Sequence, residues 1–119
     1  MPDSPIVTVE EVGEIVVLHV LADRLDEDAL RRLQTEVRAA AEAHPGQPCA
    51  LDLAQVHFLP SMSLAALIRV HAEFHGRQQR FVLAGLQTHV RELFVMTRLD
   101  RLFEIYDDVA AAQKAVGAA

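Results

Sequence analysis

The sequence predicts an α/β fold, in which a mixed sheet of four to five strands packs against about four helices. Short apolar runs typical of buried strands alternate with longer segments whose apolar residues recur every three or four positions. That alternation predicts parallel strands joined by helical crossovers, while two strand-like runs at the start predict an antiparallel hairpin. The 119 residues suffice for one hydrophobic core, so we expect a single domain over residues 1–119 with its core at about residues 6–116.

The first elements are a hairpin and a helix. Strands are predicted at residues 6–10 and 14–20, with a turn at residues 11–13. Asp26 is a predicted N-cap, because a short acidic side chain can accept a hydrogen bond from the first turn of a helix. The helix ends before the breaker cluster at residues 44–46. Its apolar stripe consists of Leu30, Leu33, Val37, Ala40 and Ala41.

The remaining elements alternate strand and helix. Strands are predicted at residues 49–53, 80–84 and 102–106. The helix at residues 61–75 has Gly76 as its expected stop. Its predicted apolar face consists of Leu64, Leu67, Ile68, His71 and Phe74. A third helix is expected to be capped by Thr88, and a last one by Asp107 or Asp108.

Composition excludes several classes of function. The net charge of −6 argues against a general nucleic-acid-binding protein, which would present a basic face. Cys49 is the only cysteine, so no internal disulfide is expected and a reducing cytoplasm fits. No apolar run approaches the roughly 20 residues that span a bilayer, and the acidic N-terminus does not look like a signal peptide. We therefore expect a cytoplasmic protein without membrane insertion.

The most organised stretch is residues 50–67, which is predicted to form a buried strand, a short loop and the start of a helix. Pro60 fits the loop or a first helical position, since proline fixes φ and lacks an N–H. Ser61 can act as an N-cap that accepts N–H groups of the first turn. Alternatively Ser61 is phosphorylated, because a helix N-terminus stabilises an added dianion. The residues alone leave both readings open.

Other constellations give weaker signals. His71 and His75 are spaced i, i+4 on one helix, but no cysteine or carboxylate cluster completes a metal site. His57 could activate Ser61, yet no third catalytic group and no G-x-S-x-G element is present. No phosphate-binding glycine loop is found either. We therefore expect no metal, no cofactor and no enzymatic activity, with a hydrolase using His57 and Ser61 as the weakest alternative.

Several segments, in this order and spacing, resemble the STAS domain family of anti-sigma-factor antagonists. Residues 51–53 (LDL) match the family's strand that ends in a DL pair, and residues 60–67 (PSMSLAAL) occupy the place of its DSSGLxxL motif. Residues 81–86 (FVLAGL) and residues 90–115 match later parts of the pattern, and Leu25-Asp26 matches the start of the first helix. The resemblance implies a STAS-like fold over nearly the whole chain.

The same resemblance implies a regulator that binds a protein partner, an anti-sigma-factor serine kinase. The first serine of DSSG is the family's phosphoacceptor, and Ser61 holds that position. Phosphorylation by the kinase would break the complex. The implied partner-binding residues are Asp26, Asp52, Leu59, Pro60, Ser61, Met62, Ser63, Leu64 and Ala65.

Two departures from the family motif matter here. Pro60 stands where the family has aspartate, and Ser63 stands where it has glycine. These changes motivate an alternative, a scaffold or transport-complex subunit that docks constitutively, as in a stressosome or a regulator of lipid or anion transport. The first strand is a free sheet edge, so a homodimer is also an expectation.

Overall fold

Alternating strands and helices occupy residues 5–117, the part of the chain that the computed structural model describes. The first four and last two residues of the predicted domain lie outside this range. The elements are β1 (Val7–Val12), β2 (Ile15–Val20), α1 (Glu27–Ala43), β3 (Cys49–Asp52), α2 (Ser61–Gly76), β4 (Phe81–Ala84), α3 (Thr88–Met96), a short 3-10 helix (Leu99–Arg101), β5 (Glu104–Tyr106) and α4 (Val109–Gly117).

The five strands form one mixed sheet in the order β1-β2-β3-β4-β5. β1 pairs with β2 in antiparallel orientation, and the remaining neighbours are parallel. The parallel register sets Leu18 beside Leu51 and Leu51 beside Leu83, so the centre of the sheet is aliphatic. The predicted mixed α/β sheet with four helices is confirmed.

Alternation along the central strands creates two hydrophobic layers. On one face, Leu18, Leu51 and Leu83 pack against side chains of α1, α2 and α3. On the other face, Ile15, Val17 and Ala50 pack against Ala112 and Val116 of α4. Central strands buried on both faces explain the unbroken apolar runs in the sequence.

Helix α1 begins and ends where the sequence predicts. The Asp26 carboxylate accepts a hydrogen bond from the Ala29 N–H at 3.0 Å, so Asp26 is the N-cap. The predicted apolar stripe of α1 is entirely buried. Asp108 accepts a hydrogen bond from the Ala111 N–H and caps α4. Of the two aspartates predicted as possible caps, Asp108 is therefore the one that caps the helix.

Several boundary predictions are wrong by one or two residues. The hairpin turn lies at residues 13–14, because Val12 already pairs with Ile15. Gly76 belongs to α2, and Gln78 takes the left-handed conformation after the helix with φ of 56°. Ile68 is 36% exposed, since the buried stripe of α2 is rotated from the predicted face. That stripe consists of Ser63, Leu64, Ala66, Leu67, Val70 and Phe74.

Within the described range, no helix is both long enough and apolar enough to cross a membrane.

Candidate functional site

The candidate site lies at the carboxyl ends of the parallel strands, where the chain passes from β3 into α2. We call residues 53–60 the α2-entry loop. Its apolar side chains Leu53, Val56 and Leu59 are buried and hold the loop against the core. The carboxyl edge of parallel strands is the usual position for a binding site in α/β folds.

Backbone hydrogen bonds fasten the α2-entry loop to the connection between β2 and α1. The N–H groups of His57 and Phe58 both donate to the Asp23 carbonyl, at 2.8 and 3.1 Å. In return the Leu25 N–H donates to the Phe58 carbonyl at 3.0 Å. These contacts bond backbone N–H and carbonyl groups of the loop in the way that strand pairing does in a sheet. We therefore expect the loop to be rigid.

Side chains add further contacts to the same loop. His57 Nδ1 donates to the Asp23 carboxylate at 2.7 Å, and His89 Nε2 donates to the His57 carbonyl. The Arg24 guanidinium lies 4.4 Å from the centre of the Phe58 ring, a cation–π distance. His57 is thus engaged with Asp23, and the structure gives it a positioning role in the loop.

The start of α2 differs from the predicted cap. Pro60, with φ of −61° and ψ of 154°, occupies the N-cap position, so Ser61 is the first helical residue and makes no capping hydrogen bond. The prediction that Ser61 is the N-cap is therefore wrong. The Ser63 N–H donates to the Pro60 carbonyl at 2.8 Å, but Pro60 has no side-chain acceptor for the N–H groups that precede that of Ser63. The exposed Ser61 hydroxyl stands at this uncapped, positive end of α2.

Three of the residues in the predicted partner-binding set are buried. The Ser63 hydroxyl is fully buried and donates to the Leu25 carbonyl at 2.8 Å. Leu59 and Leu64 pack into the core beneath it. These residues fix the position of the helix start relative to α1, and their side chains face away from solvent.

Four exposed residues of the loop end and the helix start are grouped here as the entry surface: Phe58, Ser61, Met62 and Ala65. Met62 is 50% exposed and Phe58 is 45% exposed, although both are large and apolar. Asp26 is also exposed, and its neighbour Leu25 contacts both the loop and Ser63. Apolar side chains around an exposed hydroxyl are typical of a protein-binding surface.

Asp52 lies on the opposite face of the sheet from this surface. Its neighbours Leu51 and Leu53 pack in the core on the face that α1 and α2 cover. Because successive side chains of a strand point to opposite faces, the Asp52 carboxylate lies on the face that α4 covers. There it accepts from His19 Nδ1 at 2.7 Å, while His19 Nε2 bonds to Glu10 at 2.8 Å. Asp52 also accepts from the Ala54 N–H at 3.0 Å and thereby links this cluster to the α2-entry loop.

The ring of His19 lies between two carboxylates, Glu10 and Asp52. Carboxylate oxygens only accept hydrogen bonds, so the cationic form of His19, which carries protons on both ring nitrogens, satisfies both contacts. Burial lowers the pKa of His19, but the hydrogen bonds and charges of Glu10 and Asp52 outweigh it and raise the pKa above its ordinary value. The sequence analysis missed this cluster. Its signal was one histidine in the otherwise apolar strand IVVLHV.

The raised pKa of His19 predicts a pH-dependent contribution to stability. The stabilisation is fully present below the pKa of an unfolded histidine and is lost as pH rises through the higher pKa of the folded state. We therefore expect His19→Gln to destabilise the fold more at pH 6 than at pH 9 in urea unfolding. Glu10→Gln, which removes one carboxylate, should give an intermediate loss at pH 6. Equal losses at both pH values would contradict the ion-pair interpretation.

His71, His75 and Cys49 are the other titratable residues that the sequence singled out. Among residues 5–117, no group of three or more histidine, cysteine, aspartate or glutamate side chains could hold a metal ion. The ring of His71 packs edge-on against Phe103. Burial raises the pKa of the Cys49 thiol to about 11, so Cys49 is a thiol at neutral pH.

Comparison with known proteins identifies the family. A family model described as Mlab, STAS domain matches residues 7–105. No curated protein matches the chain significantly. Among solved structures, an anti-sigma factor antagonist from Mycobacterium paratuberculosis is 26% identical, with a TM-score of 0.81 over 98% of this chain and 97% of its own.

Three further solved structures share the fold at lower identity. The anti-sigma factor antagonist SpoIIAA in its unphosphorylated form is 17% identical, with a TM-score of 0.72 over 93% of this chain and 96% of its own. Bacillus SpoIIAA in its phosphorylated form is 15% identical, with a TM-score of 0.66 over 92% of this chain and 98% of its own. The murine anion transporter Slc26a9 is 13% identical, with a TM-score of 0.79, and the match covers 92% of this chain but 19% of the transporter.

The family model spans nearly all of the strands and helices described above, including the α2-entry loop and the start of α2. The chain therefore belongs to the STAS domain family.

Proposed function

We propose that this protein is a non-enzymatic signalling regulator that binds an anti-sigma-factor serine kinase through the entry surface and is released by phosphorylation of Ser61. The observation that carries the proposal is the position of the Ser61 hydroxyl. It is exposed, it makes no capping hydrogen bond, and it stands at the first residue of a helix whose N–H groups lack a side-chain cap.

Electrostatics favour phosphate at this position. A phosphoserine carries a charge of about −1.5 to −2 at neutral pH and three strong acceptor oxygens. The N-terminus of α2 has no side-chain cap, and it offers such a group the positive end of the helix dipole and the N–H donors that precede Ser63. The phosphorylated domain would thus remain folded, while its exposed surface gains a dianion.

The same surface explains why phosphate would end binding. Phe58, Met62 and Ala65 are exposed apolar residues of the same loop end and helix start as Ser61, and a partner bound there would desolvate them. A dianion introduced into that contact would lose its hydration, which is strongly unfavourable. The similarity to SpoIIAA, whose structures exist in unphosphorylated and phosphorylated forms, supports the switching role.

A constitutive docking module is the second candidate, and two residues favour it. Pro60 removes the aspartate that precedes the family's phosphoserine, and Ser63 fills the place of its glycine with a buried hydroxyl bonded to Leu25. The similarity to one part of the Slc26a9 transporter supports such a role in a transport complex. In that case the entry surface would bind its partner without regulation at Ser61.

The entry surface is tested by a charge placed on it. We expect Met62→Arg to weaken binding to the anti-sigma-factor kinases of the source organism by at least about tenfold, because a guanidinium would be buried at the centre of the contact. Val95→Arg is the matched control, since Val95 is an equally exposed apolar residue on α3, at 53% against 50% for Met62. Binding is measured by isothermal titration calorimetry.

Equal affinities of the two variants would place the contact elsewhere on the molecule. If no kinase of this class binds the unmodified protein, the proposed partner is wrong. A pull-down that instead recovers transporter subunits, and that Met62→Arg abolishes, would favour the constitutive docking module.

A further inference from the structure

One edge of the sheet, formed by β1, has backbone groups without partners in the described chain. The Leu21 N–H donates to the Ile6 carbonyl, which extends the β1–β2 register in which Thr8 lies opposite His19 and Glu10 opposite Val17. Even-numbered residues of β1 therefore direct their backbone toward β2. The odd-numbered residues Val7, Val9 and Glu11 direct theirs outward from the sheet.

An apolar groove runs beside this edge. Val9 is 48% exposed, although it is a β-branched residue in the middle of a strand. The groove has a volume of about 460 Å³, and the small side chains Ala39 and Ala43 of α1 form its far wall. An exposed valine beside a groove lined by alanines, along an unpaired strand edge, has the features of a strand-addition site.

We propose that a second copy of this chain occupies the edge, with β1 pairing antiparallel to β1 of the partner about a twofold axis at Val9. In this register Val9 faces Val9 of the partner subunit, and each valine covers the groove beside the other. Val7 then faces the partner's Glu11, and Thr8 faces the partner's Glu10. The two sheets would join into one continuous sheet.

Backbone hydrogen bonding is compatible with this register. The paired Val9 residues would exchange two bonds, and each Glu11 N–H would donate to the opposite Val7 carbonyl. The Val7 N–H would not take part, because it already donates to the Glu36 carboxylate at 2.8 Å. Glu36 also accepts a hydrogen bond from the Ile6 N–H at 3.0 Å. We therefore expect the pairing between the two copies to end at Val7 and not to extend to Ile6.

Charge disfavours two of the neighbouring registers and supports a second copy as the occupant. Neighbouring registers would set Glu10 opposite Glu10 of the partner subunit, or Glu11 opposite Glu11 of the partner subunit, and like charges directly opposite are unfavourable. The register about Val9 separates these pairs. It also brings the acidic hairpin end, with the exposed Glu14, toward a groove on α1 that Arg31 and Arg32 line together with Thr35 and Glu36. Each copy thus supplies an acidic end and, near the acidic end of the other copy, two arginines.

A single strand pair buries less than the roughly 1,200 Å² of a stable interface, so we expect a weak and reversible dimer. Sedimentation velocity from roughly 10 µM to roughly 1 mM should show the chain passing from monomer toward dimer. Val9→Pro removes the outward N–H without affecting the bonds to β2 and should shift the association to at least about tenfold higher concentration. Val9→Thr, which keeps this N–H and a β-branched side chain, should retain more of the association.

Cysteine cross-linking tests the register on the folded chain. Val9→Cys should form a covalent dimer with oxidised glutathione at least about tenfold faster than Val95→Cys, since facing strand residues are within disulfide range. Val95 is an equally exposed control, and the native Cys49 is fully buried. A chain that stays monomeric throughout the concentration range would overturn the proposal. So would equal cross-linking rates, or a dimer that Val9→Pro leaves unchanged.

Discussion

Replacing Gly85 with alanine is expected to lower the free energy of unfolding by about 2–4 kcal/mol. Gly85 follows β4 with φ of +75°, a left-handed conformation that is unfavourable for alanine. A Cβ atom at this position would lie 3.0 Å from the Asp52 carboxylate and 3.3 Å from the Ala54 side chain. The substitution would therefore strain the backbone and press on the link between Asp52 and the α2-entry loop.

Gly46→Ala is the matched control for this prediction. Gly46 has a similar φ of +77°, but a Cβ atom there would meet nothing within 4 Å. Gly46→Ala should lower the free energy of unfolding only by the strain of the left-handed backbone conformation, about 1–2 kcal/mol. Urea unfolding of both variants separates the two contributions. A Gly85→Ala loss no larger than that of Gly46→Ala would show that the Asp52 contact is unimportant.

Substituting Ser61 with glutamate is expected to weaken kinase binding by about 100-fold, because it buries an unpaired carboxylate in the apolar entry surface. Ser61→Ala should bind within about threefold of the wild type, since the hydroxyl makes no hydrogen bond within the described chain that would be lost. Both variants should keep the stability of the wild type, because the side chain is exposed. Calorimetric titration with the kinase measures the affinities.

If Ser61→Glu bound the partner as tightly as Ser61→Ala, the switching role would be contradicted. That outcome, combined with a loss of binding in Met62→Arg, would support the constitutive docking module. Ser63→Ala is a useful comparison, because it removes the buried bond to the Leu25 carbonyl. It should lower stability by about 1–3 kcal/mol without adding charge to the surface.

The fold could be predicted from the sequence because its signals are local. Buried parallel strands produce short apolar runs such as residues 81–84, and an amphipathic helix such as α1 repeats its apolar residues at helical spacing. Asp26 indicates the start of α1, because its side chain is a typical N-cap and accepts the capping hydrogen bond. None of these signals requires knowledge of which strands are neighbours.

The two N-cap positions that were missed depend on backbone geometry. Ser61 and Thr88 are common capping residues, but Pro60 and Gln87 occupy the N-cap positions with ψ near 150°. Neither of these two N-cap residues makes a side-chain capping bond. Side-chain preference therefore placed each N-cap one residue late. As a result, Ser61 is the first helical residue and its hydroxyl makes no capping bond.

The contacts that position the site depend on tertiary neighbours. Pairing of β2 with β1 and β3 places His19 between Glu10 and Asp52, which are distant in sequence. The buried bond from Ser63 to Leu25 likewise joins α2 to the start of α1. A motif comparison identifies Ser63 as a departure from glycine, but only packing shows that its hydroxyl is buried and bonded.

The central claim is that phosphate on Ser61 releases a protein partner from the entry surface. The most direct measurement is the affinity of the partner kinase for the unmodified chain and for the chain stoichiometrically phosphorylated at Ser61, with the site confirmed by mass spectrometry. We predict tight binding of the unmodified chain and at least about 100-fold weaker binding of the phosphorylated chain. Equal affinities, or phosphate incorporated elsewhere with Ser61 unmodified, would contradict the account.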